Sequence, residues 1–419
     1  MTRLAIVGSG IAGLGLAYHL RHRYEITIYD KNKRPGGHAN TIAVNENGAD
    51  IPIDTGFMVF NHATYPNLVR LFTELAVPIK KTDMSFSVQN VPMQLEFAGA
   101  SFNRLFGDRK RLFDLSFWKM LSQIDRFNKE AAEALADTAY SDMSLLEYVQ
   151  ARKYSNDFLN CYLVPMSSAL WSTAPDKILN FPATTLLRFF HNHGLLGVSG
   201  QHQWWTVEGG AIEYVRRLLA HLPGLLRLEA AVVQVRRGHL GVQVITEGGE
   251  CEVYDKVALA CHADEALAML HQPDEKERRL LGAFSYQQNE TLLHLDSTIM
   301  PRHKRCWASW NYRLDPKGAS THYWMNSLQD VSPHRNYFVT LNGGHLVEPS
   351  SILKRMTYHH PLFDLGAIEA QKQLPELNRN SPNDQVFFCG SYFGYGFHED
   401  ALTSSLALAA LLAGSAVCT

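Results

Sequence analysis

Three glycines near the start of the chain carry its clearest chemical signal. Gly8-Ser9-Gly10-Ile11-Ala12-Gly13 follows a short apolar run at 4–7 and opens a segment patterned as a helix over 11–21. Gly8 permits a tight turn after a strand, Gly10 lets a pyrophosphate approach the backbone, and Gly13 lets helix and strand pack closely. The start of the helix favours negative charge at the same place. A second strand is expected at 25–29. It ends at Asp30, roughly 20 residues beyond the glycines, where an acid accepts from a ribose hydroxyl and disfavours a 2′-phosphate. Glycines alone could make a structural turn. The strand before them, the helix after and the acid beyond point to dinucleotide binding.

Further along, Lys31-Asn32-Lys33-Arg34-Pro35-Gly36-Gly37-His38 is followed by Asp54-Thr55-Gly56-Phe57-Met58-Val59. With the first motif, these residues resemble the flavoprotein superfamily of amine oxidases and carotenoid desaturases. The resemblance implies non-covalently held FAD rather than NAD. It sets Lys31 beside Asp30 among the cofactor contacts, and Gly36, Gly37 and the basic His38 near the pyrophosphate. His38 stands where an arginine is commoner. Gly56, Phe57, Met58 and Val59 match the loop that runs beside the flavin ring.

Later segments extend the resemblance over essentially the whole chain. Trp205-Thr206-Val207-Glu208-Gly209-Gly210 precedes a helix, Val232-x-x-Val235 fits a strand at the adenine end, and Ala260-Cys261-His262 falls at a strand end close to the flavin. Near the C-terminus, Cys389-Gly390-Ser391-Tyr392-Phe393-Gly394-Tyr395-Gly396-Phe397-His398-Glu399-Asp400 leads into a final helix. The resemblance puts Gly390 and Ser391 at the ribityl chain. It puts His398, Asp400 and Ala401 where the helix start faces the flavin pyrimidine and steadies negative charge on the reduced ring. Ala401-Leu402 departs from the pattern, which has a glycine there. A covalent link at Cys389 is not expected.

Trp307-Ala308-Ser309-Trp310-Asn311-Tyr312 and Tyr323-Trp324-Met325-Asn326 are similar to a narrower bacterial group of NAD/FAD-binding proteins. Members of that group accompany enzymes that methylate or cyclopropanate fatty acyl chains. The resemblance implies a dehydrogenase or desaturase acting on an apolar, fatty-acyl substrate, with such enzymes as partners. An amine oxidase releasing hydrogen peroxide is the alternative, and it would need an aromatic pair at the flavin, with Tyr392 and Tyr395 as candidates. A non-catalytic accessory protein is a further alternative.

His322, His359, His360 and His398 are candidate proton acceptors, with His398 favoured by its place beside the flavin loop. Lys304 and Tyr392 complete the catalytic candidates. Phe57, Phe60, Trp171, Trp307 and Trp310, with Tyr312, Tyr323, Trp324 and Tyr392, are expected as an aromatic substrate wall.

The elements that must position these groups read as an α/β protein: a Rossmann-type FAD-binding domain with an interleaved α+β substrate domain containing an antiparallel sheet. The nucleotide-binding part is expected from 1–80, 201–275 and 376–419, and the substrate part from 81–200 and 276–375. Period-two alternation predicts a hairpin over 83–100 and strands at 290–296, 305–312, 321–328 and 336–342. Residues 101–200 read as mostly helical, 208–235 as a helix and then a strand, and 385–390 as a buried strand. The 419 residues are 46% hydrophobic and 19% charged, an ordinary globular composition. A net charge of −2 gives no reason to expect a nucleic-acid partner. Six scattered cysteines without a CxxC argue against a metal site or disulfide framework and for a reducing, cytoplasmic setting. The uncharged stretch 401–419 is long enough for a membrane span, yet its Ala, Ser and Gly content reads as a buried helix. Peripheral contact with the inner membrane face is compatible with a lipid substrate.

Overall fold

The computed structural model describes residues 1–99, 101–197 and 202–414. Five parallel strands form its nucleotide-binding sheet, in the order Leu226–Arg227, Tyr24–Tyr29, Thr2–Val7, Lys256–Leu259 and Val386–Phe388. Their apolar runs are buried on both faces, as a covered parallel sheet requires: Leu4, Ala5, Ile6, Val257 and Val386 are inaccessible to solvent. The first strand, the helix Ile11–Leu20 and the second strand make the expected βαβ unit. A three-stranded antiparallel meander, Val232–Gly238, Gly241–Thr246 and Cys251–Tyr254, leads into the fourth strand.

The last helix, His398–Leu412, lies against Ile11–Leu20. A Cβ on Gly15 would stand 2.8 Å from Leu402 Cδ1, so the Leu402 side chain fills the space that the glycine leaves. Leu402, Ser405 and Leu408 are buried there. The uncharged C-terminal stretch is therefore core packing as far as Leu412, and residues 415–419 lie outside the described residues. Among the described residues no helix is long and apolar enough to cross a membrane.

The second large sheet has seven strands, in the order Ile352–Leu362, Ser285–His294, Phe338–Leu341, Gly318–Trp324, Trp310–Asp315, Phe86–Asn90 and Leu95–Ala98. Neighbours are antiparallel except the fifth and sixth. The expected strand at 321–328 stops at Trp324 because Met325–Gln329 turns helical. The expected strand at 305–312 starts only at Trp310, since Lys304–Cys306 forms a 3₁₀ turn. The eleven-residue edge strand Ile352–Leu362 was not anticipated by the pattern. Between 101 and 197 the chain is helical, with Leu115–Ala136 the longest element. A π turn, Leu159–Leu163, runs into the helix Val164–Trp171. Pro165 has no N–H for the ladder at that junction, which favours the irregular turn.

One buried carboxylate joins the two lobes. Asp54, at the end of the hairpin Thr41–Glu46 and Ala49–Asp54, accepts from Thr41 Oγ1 at 2.5 Å and from Ala211 N at 2.9 Å. It also accepts from Gln329 Nε2 at 2.7 Å, while its own N–H donates to Gln329 Oε1 at 3.0 Å. Burial pushes its carboxyl up to about 6.

Candidate active site

The glycine turn presents the first turn of Ile11–Leu20 to a single cavity of about 1690 Å³. No side chain caps that helix, so its leading N–H groups point into the cavity unmet. A Cβ on Gly10 would meet nothing within 4 Å, because the position opens on the cavity. A Cβ on Gly13 would lie 1.9 Å from Gly8 O; this glycine is needed by the fold and sits behind the lining. Gly8, Ser9, Gly10, Ile11 and Ala12 form the lining itself. Gly36 N donates to Ser9 O at 2.9 Å, and a Cβ on Gly37 would stand 3.1 Å from Gly10 Cα, so the second glycine turn closes on the first. Arg34 supports that turn, donating to Gly37 O at 2.9 Å and Ala39 O at 3.2 Å. An uncapped helix start between two bare backbone turns fits a pyrophosphate.

Asp30 does more than the sequence suggested. Its Oδ2 accepts from Ser9 N at 2.9 Å and Ser9 Oγ at 2.5 Å, and its Oδ1 accepts from Asn32 N at 2.8 Å and Nδ2 at 2.9 Å. All four acceptor sites of the carboxylate are met within the protein. The acid thus holds the glycine turn against the strand end while still bordering the cavity. Lys31 lies at the rim in an ion pair with Glu265 at 2.5 Å. Val232 lines the same end, next to Ala230, whose N–H donates to Asp30 O at 2.9 Å.

His38 lines the cavity, but as a neutral ring rather than a cation near the pyrophosphate. Burial, reinforced by His360 and His262, pushes it well below the ordinary histidine value. Its ring lies 5.1 Å from that of Tyr358 and 5.5 Å from that of His360. Tyr358, His359 and His360 reach the wall from the unanticipated edge strand. His262 follows Ala260 and Cys261, both in the lining, and stacks on Tyr286 at 4.4 Å. Burial holds the Cys261 thiol well above its usual range, so it is not a thiolate.

At the other end, Gly56, Phe57, Met58 and Val59 meet Gly390, Ser391 and the start of the last helix. Phe57 N donates to His38 O at 2.8 Å, tying this loop to the second glycine turn. His398 and Ala401 line the cavity from the helix. His398 stacks on Phe57, its Nε2 lies 3.1 Å from the Tyr214 hydroxyl, and burial pushes its pKa down to about 3. It is a neutral hydrogen-bonding ring at physiological pH. Asp400 does not line the cavity; its Oδ2 accepts from Phe397 N at 2.8 Å, fixing the helix start from behind.

Several expected groups lie elsewhere. Lys304 is exposed on its 3₁₀ turn, away from the cavity. Tyr392 is buried beneath the Gly390 loop with its ring 5.4 Å from Phe284, so Tyr392 and Tyr395 cannot form a pair; only Tyr395 reaches the cavity. His322 is a core residue, its Nδ1 2.8 Å from Thr340 Oγ1. Of the expected aromatic wall, Phe57, Trp171, Trp310 and Tyr323 line the cavity. Trp324 follows Tyr323 on its strand and faces the opposite side, where it packs edge-on against Trp307. Phe60 is buried against Phe72, and Tyr312 is buried away from the lining.

The cavity also has an apolar arm, most of whose wall the sequence reading did not name. Phe86, Val88 and Phe97 line it from the sheet, and Leu105, Leu121 and Ile124 from the helical side. Tyr162 and Met166 join them from either side of the π-turn junction. The helical spacing of Leu121, Ile124 and Asn128 was a usable signal for one lining face. The acids nearest this arm, Asp83 and Asp125, are exposed. A cavity for one drug-sized ligand holds about 300–1,000 Å³. The volume here leaves room for a second molecule beside a dinucleotide.

A family model described as flavin containing amine oxidoreductase matches residues 11–294. AofH of Mycobacterium tuberculosis, assigned by name as a flavin-containing monoamine oxidase, is 25% identical over 256 residues, covering 59% of this chain and 54% of AofH. The match thus spans about half the length of that curated relative. Putrescine oxidase bound to putrescine superposes with a TM-score of 0.67 at 16% identity, over 99% of both chains. The CLA-producing fatty acid isomerase from P. acnes gives 0.68 at 15% identity, also over 99% of both chains. At these identities the structural likeness is one of fold.

Proposed function

The chain belongs to the flavin-containing amine oxidoreductases and is an FAD-dependent oxidoreductase, and from that premise we propose that it oxidises a long apolar chain, of the fatty-acyl class. The observation that carries this reading is the apolar arm. It continues the cofactor cavity between Phe86, Phe97, Leu121, Ile124 and Met166 without a buried charged side chain in its lining.

The glycine turns, braced by Asp30 and Arg34, and the start of Ile11–Leu20 would hold the dinucleotide, with Val232 at the adenine end and Phe57, Gly390 and His398 at the ring end. FAD, when bound, supplies a two-electron acceptor. The protein's own part is binding, orientation and exclusion of water. An unactivated carbon offers no charge to grip, so binding must come from burying the chain, at about 25 cal/mol per Å² of apolar area. The walls of the arm fix which carbon faces the ring. His398 keeps a neutral ring beside it, oriented by Tyr214 and clamped by Phe57.

Amine oxidation is the runner-up, favoured by the names of AofH and putrescine oxidase. Against it stand the turned-away Tyr392 and the remote Lys304. A non-catalytic role would suit a cavity closed at the ring end, and this one continues beyond it. The discriminating experiment is anaerobic titration of the purified flavoprotein. Bleaching by methylated or cyclopropanated fatty-acyl lipids, and not by putrescine or aryl amines, is expected. Bleaching by amines alone would replace this reading with the runner-up.

A further inference from the structure

Four large apolar side chains stand in solvent on one side of the helical lobe. Phe113 is 89% exposed, Leu115 84%, Phe102 62% and Trp118 43%. They come from three successive pieces of chain, Phe102–Leu105, Arg109–Phe113 and the start of Leu115–Ala136. The patch is held in place. Phe102 and Trp118 both rest on the buried ring of Phe106, at 4.6 and 5.1 Å. Asp114 accepts from Ser116 N at 3.0 Å and pairs with Arg111 at 2.6 Å, which fixes the corner between Phe113 and Leu115. Apolar surface concentrated in so short a stretch of chain calls for a covering partner.

The charge around it says which partner. Arg104, Arg109, Lys110 and Lys119 border the patch in sequence. Lys304 and Arg305 join them from the 3₁₀ turn that packs against Phe102–Leu105, where Cys306 Sγ lies 3.8 Å from Arg104 O. None of these six cations has an ion-pair partner among the described residues. The neighbouring acids are already committed: Asp108 and Asp114 to Arg111, and Glu96 to His303. Exposed aromatic and aliphatic side chains and cations without an ion-pair partner are thus concentrated in residues 102–119 and in the 3₁₀ turn packed against them.

We propose that this face docks on an anionic lipid bilayer, with Phe102, Phe113, Leu115 and Trp118 entering the interfacial layer and the six cations meeting the headgroups. Leu105 and Leu121, one helical turn beyond Phe102 and Trp118, line the apolar arm of the cavity, which brings the arm close to this surface. Docking itself is independent of which substrate is oxidised.

The test is co-sedimentation of the full-length flavoprotein with phosphatidylglycerol vesicles and with phosphatidylcholine vesicles. Binding to the anionic vesicles, weakened by salt, is expected. It should fall by about ten-fold or more both in a Phe113→Ser, Leu115→Ser variant and in a Lys110→Glu, Lys119→Glu variant, with flavin content retained. These side chains project into solvent, so neither pair disturbs the core. Undiminished binding by both variants, or no vesicle binding by the wild type, overturns the proposal. A wild-type dimer that the Phe113→Ser, Leu115→Ser variant converts to a monomer, without vesicle binding, would assign the face to a second copy of the chain and overturn it equally. Vesicle binding is read without turnover, so this result and the substrate titration fail independently.

Discussion

His398 lies face to face with Phe57, ring centroids 3.9 Å apart and planes 17° from parallel. The stack joins the loop after Gly56 to the start of the last helix, and it buries an imidazole at the ring end of the cavity. Burial holds that imidazole neutral, at about 3, far below the window of about pH 5–8 in which an ordinary histidine changes charge.

The first prediction follows from that neutrality. His398→Gln keeps a hydrogen-bonding group near Tyr214 and removes any titration. Its rate of flavin reduction should fall by less than about 100-fold, below the range typical of a lost general acid or base. The pH profile should keep its shape. A histidine-like inflection seen in the wild type and missing from the variant would show that His398 transfers protons.

The two glycines of the first turn should behave differently. Gly10→Val places its side chain in open cavity, so the protein should fold but purify without flavin colour. Gly13→Val drives a Cβ into Gly8 O and should yield little soluble protein. Far-ultraviolet circular dichroism with visible absorbance separates the two. A yellow Gly10→Val protein of unchanged affinity would mean that this turn does not carry the phosphates.

Asp30→Ala should lose stability as well as cofactor. Ser9, which is fully buried, would be left with donors facing a void, at a cost of about 1–3 kcal/mol for an unmet buried group. The apo form should therefore show a lowered unfolding midpoint. A variant with normal apo stability and weakened FAD binding would instead make Asp30 a ribose ligand alone.

Acid should weaken the fold through His294 and His322. Both are inaccessible to solvent, both contact Thr340 Oγ1, and burial pushes them to about 4 and about 3. The unfolded chain takes up a proton on each below about 6.5, whereas the folded chain does not. Stability is then lost as pH falls from about 6.5 toward 4. Asp54 and Asp400, raised to about 6, act in the opposite direction below that pH, but their shifts are smaller. The urea midpoint should be lower at about pH 5 than at about pH 7.5, and His322→Gln should flatten the slope. A midpoint that rises on acidification would contradict this account.

What the sequence could reveal was set by the range of the interactions. The turn from Gly8 to Gly13 is a local construction, since its spacing alone encodes the close contact of Gly13 with Gly8. The edge strand Ile352–Leu362 pairs with residues 58 to 77 positions upstream, and its exposed edge blurs the alternation that would mark it. Tyr392 and Tyr395 flank the same glycine, yet one turns under the loop and the other into the cavity; only the path of the backbone decides that. His38 was expected as a basic group because the resemblance puts one after Gly36 and Gly37. Its neighbours in space are His262, Tyr358 and His360, and burial among them removes the charge. The apolar arm was not legible as a whole, because its walls come from well-separated pieces of chain at 86–97, 105, 121–124 and 162–166.

Asp54 has a bearing on timing. Swinging the two sheets apart would separate Ala211 or Gln329 from a buried carboxylate that both of them bond. The lobes should therefore travel as one body through the catalytic cycle. Admission of substrate and escape of product then fall to side chains at the mouth, which relax in nanoseconds, rather than to domain closure on the microsecond-to-millisecond scale. An enzyme built this way would be limited by diffusion along its corridor or by the chemistry itself, and its turnover would carry no slow opening step.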